Sequence, residues 1–297
     1  MRAELAKRLL KNGVYRTIGE ATATMVPPNG DRDRLLRVLM YHKVNDGPLA
    51  PLTVPVSLFD EQMAQLRELG YTVVDLGAVL DHYGSGAPLP TRPVLITFDD
   101  GYRDNLDNAA PVLERHGYSA VVFVPIGYLD DAQPLPHEER FALDGRQNRT
   151  VDWGALAELE AAGVRVESHG ISHRPLTEPE LDEAAREIAL SKLRLEDRLG
   201  RPVQAFAYVK GSEAHFRPVH LGLVAQAGYE LAFTSVSGLN APDTDPMRLH
   251  RYNVEPYAPR TFELVLAGAC DLIGMKDTIP GTYARRALNA ALGTSTK

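Results

Sequence analysis

Pro93-Val94-Leu95-Ile96-Thr97-Phe98 runs straight into Asp99-Asp100-Gly101. A short apolar run rich in β-branched and aromatic residues is the pattern of a strand buried on both faces, and such strands belong to parallel sheets. Two carboxylates then stand at the strand's carboxyl end. Adjacent strand residues point to opposite faces, but Gly101 permits an irregular turn that could aim both into one cavity. A plain turn or helix cap, which aspartate favours, explains the pair equally well.

The same pattern recurs on either side. Leu35-Leu36-Arg37-Val38-Leu39-Met40-Tyr41-His42 is an apolar run tipped by His42, and residues 71–76, 120–125, 164–167, 205–208 and 231–234 read as further strands. Between them lie helical patterns. Phe59, Met63, Leu66 and Leu69 keep helical spacing, with Ser57 as cap and Gly70 as stop. Residues 76–82, 109–115, 153–162, 178–199 and 219–227 follow suit, and Gly200 closes the long charged helix. This alternation predicts an α/β fold with a mostly parallel sheet, wound open or closed as a barrel. One domain over residues 36–275 is expected. An N-terminal helical extension and linker (1–35, broken at Pro27-Pro28-Asn29-Gly30-Asp31) precedes it, and a C-terminal tail (276–297) follows. The polar stretch 129–150 reads as a loop of a length uncommon without a role of its own.

Composition narrows the function. With 39 acidic against 32 basic residues and a formal charge of −7, the chain is not built to hold nucleic-acid backbones. Its single cysteine, Cys270, excludes a disulfide framework and any multi-cysteine metal site, and reads as a packing residue. No apolar run approaches the roughly 18 residues of a spanning helix. Leu5, Leu9 and Leu10 with Arg2, Lys7, Arg8 and Lys11 suggest a short basic amphipathic helix, docked on the domain or touching a membrane surface. No secretory signal is read, so the expected location is the cytoplasm, with the inner membrane surface as an optional contact. Oligomeric state is not legible.

Polar residues gather just past the strand runs: His42, Asp99-Asp100, Ser168-His169 and the stretch after Tyr208. Parallel α/β folds bind ligands at the carboxyl ends of strands, where these positions could converge. His169-Gly170-Ile171-Ser172-His173 places two imidazoles four residues apart, a familiar metal spacing that also arises by chance among nine histidines. With Asp100 they make two nitrogens and a carboxylate, a set suited to Zn, Fe, Co or Ni with positions left open for water and substrate.

Thr97-Phe98-Asp99-Asp100-Gly101 resembles the first motif of NodB-type polysaccharide deacetylases (carbohydrate esterase family 4), and His169 to His173 resembles the second, H-[ST]-x-x-H, with Gly170 in place of Ser or Thr. The likeness runs from about Leu39 to Arg251. It implies a deformed (β/α) barrel, seven-stranded, and hydrolysis of N-acetyl groups on a sugar. By position, Asp100, His169 and His173 would hold a divalent metal, most simply zinc, and Asp99 would be the general base. An N-acetylated carbohydrate (polysaccharide, oligosaccharide or lipid-linked glycan) would be the substrate.

The third motif departs from the family. Phe206-Ala207-Tyr208-Val209-Lys210-Gly211 stands where relatives read F-A-Y-P-Y-G or R-P-P-Y-G. The Lys210 N–H falls at the expected oxyanion donor, with Tyr208 beside it. Ala207 replaces the arginine that commonly orients the base, and Arg251 is the candidate substitute, an ordinary surface arginine being the alternative. His42, in a Tyr-His pair like that of a subgroup with rearranged motif order, is the candidate general acid, and His250 its competitor. Tyr102 and Trp153 could line a sugar cleft or simply pack the core. Three other functions stay open: a small-amide or ureide hydrolase on the same barrel, a glycan-binding relative without catalysis, and an Fe(II) oxygenase. The βα alternation speaks against the last.

Overall fold

The computed structural model describes residues 2–25, 32–47, 52–132, 134–136, 138, 148–281 and 283. Its centre is a parallel sheet of β1 (Arg37–Tyr41), β5 (Pro93–Phe98), β6 (Ala120–Val124), β7 (Val164–Ser168), β8 (Ala205–Ala207), β9 (Leu231–Phe233) and β10 (Tyr252–Asn253), in the order β10-β1-β5-β6-β7-β8-β9. A short pair, β2 (Lys43–Val44) and β3 (Thr53–Val54), sits apart, and β4 (Thr72–Val73) adds to β5 beside Pro93 and Val94. The expected strand at 71–76 shrinks to these two residues because β6 takes the same edge of β5 further along, at Thr97 and Phe98.

The two ends of the sheet meet in one segment. Leu249 bridges Phe233 in parallel register, while Tyr252 three residues later pairs with Leu39 of β1. Residues 249–253 therefore close the curled sheet into a deformed barrel of seven strands, with β4 as an eighth at its side. Every residue of β1, β5 and β6 is buried, as a parallel sheet covered on both faces requires. Val38, Leu95, Val121, Phe123, Ala205, Ala207, Leu231 and Phe233 form an inner cluster. Their sequence neighbours, such as Leu39, Ile96, Val122 and Phe206, join the larger cluster beneath the helices.

The helices are α1 (Arg2–Met25), α2 (Val56–Glu68), α3 (Leu76–Ser85), α4 (Ala110–His116), α5 (Ala155–Ala161), α6 (Leu181–Leu199), α7 (Pro218–Gln226), α8 (Pro259–Leu266) and the short α9 (Asp271–Gly274). Ser57 does not cap α2. Pro55 holds the cap position, and Val56 N–H donates to Asp46 Oδ1 at 3.0 Å. The N-terminal helix is longer than its leucine pattern suggests and is docked on the domain: Lys11 pairs with Glu255, Tyr15 packs on Tyr257 with ring centroids 5.3 Å apart, and Cys270 is buried against the Tyr15 carbonyl. The side chains of Leu5, Leu9, Arg2, Lys7 and Arg8, the break at 27–31, half of the loop at 129–150 and nearly all of the tail beyond 281 lie outside the described residues. Among those described, no helix is long and apolar enough to cross a membrane.

Candidate active site

Strand periodicity carries the polar residues inward. Val38 and Leu95 face the inner cluster, so two-residue steps along their strands bring His42 and Asp99 to the same side at the strand tips. There they border a cavity of about 870 Å³ together with Asp100, His169, His173, Tyr208, Lys210 and Arg251. The third motif reaches it because Tyr208 N–H donates to Phe233 O, holding the loop after β8 against β9.

The turns that aim these groups are strained. Asp100 (φ 76°), His173 (φ 53°) and Lys210 (φ 57°) all occupy the left-handed region, where a non-glycine residue costs roughly 1–3 kcal/mol. Gly101 continues the first turn at φ 61°, and a Cβ there would come within 2.8 Å of Val124 Cγ1. This turn resolves the problem posed by two adjacent aspartates: both are buried and both face the cavity.

Asp99 and Asp100 have different partners. Arg251 donates Nη1 to Asp99 Oδ1 at 2.6 Å and Nη2 to Oδ2 at 2.7 Å, while its Nε donates to Thr234 O at 2.8 Å. Burial opposes the charge on Asp99, but Arg251 and then His169 outweigh it and hold its pKa below the ordinary value. Asp100 accepts from His173 Nε2 at 2.8 Å and has His169 Nε2 at 3.5 Å. Burial again opposes ionisation, and the two imidazoles, His173 foremost, bring its pKa well below the usual carboxylate range.

The donor set fits a divalent cation. One atom each from Asp100, His169 and His173 lies within 4.8 Å of the other two. Zinc bonds of about 2.0–2.2 Å place neighbouring ligands roughly 3–4 Å apart. His169 Nδ1 lies 2.8 Å from Ala207 O. A carbonyl only accepts, so Nδ1 carries a hydrogen and Nε2 is the nitrogen turned toward Asp100, the orientation that supporting hydrogen bonds give to metal-binding histidines. Charge points the same way. Asp99 is neutralised by Arg251 and the buried Glu138 by Lys43, whereas the basic groups paired with Asp100 are the imidazoles of His173 and His169.

His42 borders the cavity, and its Nδ1 is shielded from solvent with no hydrogen-bond partner among the described residues. Burial pulls its pKa down, while the Asp100 and Asp99 carboxylates work in the opposite direction. His250 does not line the cavity; its ring packs on Gly238. The structure thus brings His42, and not its competitor, to Asp99.

Lys210 projects an exposed side chain with Nζ 4.0 Å from Glu178, and its backbone N–H has no acceptor among the described residues. Tyr208 lines the cavity, stacked on Phe216 at 4.5 Å, with its hydroxyl donating to Met247 O at 3.1 Å. Two cleft assignments need correction. Tyr102 is 1% exposed and absent from the cavity wall, because its hydroxyl is drawn inward to Glu138 at 2.9 Å. Trp153 is also off the cavity, its Nε1 donating to Asp130 at 2.6 Å. Residues that sequence reasoning missed do line it: Tyr15 from α1, Asn253 from β10 and Tyr128. No local motif marks them, since each is brought there by long-range packing.

The chain resembles known proteins in sequence and in fold. The family model described as polysaccharide deacetylase matches residues 86–232. YxkH of Bacillus subtilis, whose name assigns it to polysaccharide deacetylases, is 28% identical over 74% of this chain and 72% of its own length. The poly-β-1,6-N-acetyl-D-glucosamine N-deacetylase of Escherichia coli K12 is 27% identical over 77% of this chain, which spans only 39% of that protein. Among solved structures, IcaB from Ammonifex degensii superposes with a TM-score of 0.68 at 24% identity, covering 80% of this chain and 97% of that one. The Streptococcus pyogenes deacetylase PplD, solved with acetate, gives 0.67 at 22% identity, covering 78% and 98%. These two likenesses establish the barrel.

Proposed function

We propose, from the premise that this chain belongs to the polysaccharide deacetylase family, that it hydrolyses the N-acetyl amide of N-acetylglucosamine units in a β-1,6-linked glycan, free or lipid-linked, and releases acetate. The family is one of hydrolases. The linkage is suggested by the substrate named for the Escherichia coli relative. One observation carries the reading: three metal-suited donors converge beside an arginine-gripped carboxylate on the wall of a single cavity.

A divalent cation held by Asp100, His169 and His173, zinc first and Co, Ni or Fe as alternatives, supplies Lewis acidity to the amide carbonyl and lowers the pKa of a water molecule. Asp99 is ionised at neutral pH and accepts that water's proton as its oxygen attacks the carbonyl carbon. Arg251 keeps both carboxylate oxygens in place and compensates the buried charge. The Lys210 N–H is a free donor for the developing oxyanion. When the C–N bond breaks, the amine leaves with a proton that His42 delivers, its cavity-lining ring being within the electrostatic reach of both aspartates. The products are acetate and a free amino sugar.

Placement in the cytoplasm with α1 at a bilayer surface is a further part of this proposal, supported by the exposed Leu10 and Val14 on that helix. Sedimentation of the full chain with anionic liposomes tests it, and absence of binding removes it. The activity itself is tested with β-1,6-linked N-acetylglucosamine oligomers beside small amides and ureides. Acetate release from the oligomers supports the proposal. Turnover of ureides alone transfers the site to the small-amide reading, and oligomer binding without acetate release to the glycan-binding one.

A further inference from the structure

Beneath the cavity, the segment after β1 is laced to the segment after the Asp99-Asp100 turn. Asn105 Nδ2 donates to His42 O at 2.7 Å, Asn108 Nδ2 to Val44 O at 2.8 Å, and Asn45 Nδ2 to Asp104 Oδ2 at 2.5 Å. At the centre lies a charged contact with no place in the hydrolytic steps. Lys43 Nζ donates to Glu138 Oε1 at 2.7 Å, and Tyr102 donates its hydroxyl to the same oxygen at 2.9 Å. The ammonium also lies 5.2 Å from the centroid of the Tyr102 ring. All three residues are at most 3% exposed.

A buried ion pair is a poor device for stability alone, since a well-packed apolar replacement does as well or better. This one ends at the site. Tyr102 is the second residue after Asp100, so its bond to Glu138 pins the end of the turn that carries Asp100 and Gly101. Tyr102 thus ties a carboxylate neutralised by Lys43 to the turn whose Asp100 lies against two imidazoles. Asp100 itself sits in a left-handed turn at φ 76°, a conformation that its surroundings must enforce.

We propose that Lys43, Glu138 and Tyr102 form a buried brace that holds the turn after β5 and so positions Asp100 as a ligand, with Lys43–Glu138 anchoring Tyr102 at the end of that turn. The inference rests on reading Asp100, His169 and His173 as a metal site. It makes the three positioning residues, which touch neither substrate nor reacting atoms.

The test uses the full chain stripped of metal, with zinc affinity measured by competition against a chromophoric chelator and the visible spectrum recorded after Co(II) loading. Tyr102→Phe keeps the ring and the Lys43–Glu138 pair and removes only the hydroxyl. The double variant Lys43→Met with Glu138→Gln removes the anchor without leaving a lone buried charge. The brace predicts zinc binding weaker by about 10-fold or more in each, the range for lost supporting contacts at metal sites, with an altered Co(II) spectrum. The metal-free Tyr102→Phe chain should melt close to wild type. Unchanged affinity and spectrum in both variants, whatever happens to their melting, would overturn the proposal. Asp100→Ala separates the two claims: it must abolish stoichiometric zinc binding, and a wild type that binds no zinc defeats the site reading and the brace with it.

Discussion

Arg251 holds Asp99 by both arms of its guanidinium, at 2.6 and 2.7 Å, although 152 residues separate them in the chain. The contact exists because residues 249–253 close the barrel, placing Arg251 between β9 and β1 with its Nε on the Thr234 carbonyl. The arginine is 1% exposed, so its charge is compensated by this carboxylate rather than by water.

Removing that arginine should therefore affect pH dependence and stability together. In Arg251→Ala, burial acts on Asp99 with its main opposing charge gone, so the carboxylate pKa rises and the acidic limb of the kcat/KM profile moves to higher pH. An unpaired buried carboxylate also costs about 3–5 kcal/mol. In the wild type the folded pKa lies below the unfolded one, so the stability contributed by the pair is fully present above about pH 4 and is lost as pH falls through the folded value. Denaturant melts across pH check the second statement, and an unmoved acidic limb would contradict the first.

His42→Gln should lower kcat by about 10²–10⁴-fold, the usual contribution of a positioned acid or base, with KM close to wild type. His250→Gln should leave both parameters nearly unchanged, because that ring lies off the cavity. Steady-state acetate release decides between them, and the opposite ranking would reassign the acid.

At the third motif the backbone, not the side chain, should matter. Lys210→Ala removes an exposed ammonium that only approaches Glu178 at 4.0 Å, so turnover should stay near wild type. Gly211→Ala adds a Cβ within 2.7 Å of Ser235 N and 3.0 Å of Tyr208 O at a φ of 56°, which forces the loop bearing the Lys210 N–H to shift. We expect kcat to fall more than KM rises. A large loss in Lys210→Ala, confined to uncharged oligomers or to anionic ones, would instead make the ammonium a substrate contact.

The parallel sheet and the placement of Asp99, Asp100, His169 and His173 were legible because they rest on local patterns: buried strand runs, each ending in polar residues. Arg251 was legible only as a substitute for the missing arginine at Ala207, and nothing local tells where it points. The closing strand β10 is two residues long and carries no strand signature of its own. Tyr102 illustrates the opposite failure. An aromatic beside a catalytic turn suggests a sugar platform, yet Glu138, far along the chain and amid a polar stretch without periodicity, draws its hydroxyl into the interior. The contribution of α1 to the cavity was likewise hidden, since Tyr15 faces the barrel only after the helix docks through Lys11 and Glu255.

The central claim is that Asp100, His169 and His173 hold one dication beside the base Asp99. Its most direct test is a titration of the chelator-stripped protein with zinc, following bound metal and acetate release from N-acetylglucosamine oligomers in the same samples. Both should rise together and saturate at one equivalent, with neither signal in Asp100→Ala and with metal binding but no release in Asp99→Asn. Acetate release from the stripped protein, or full release by Asp100→Ala, would contradict it.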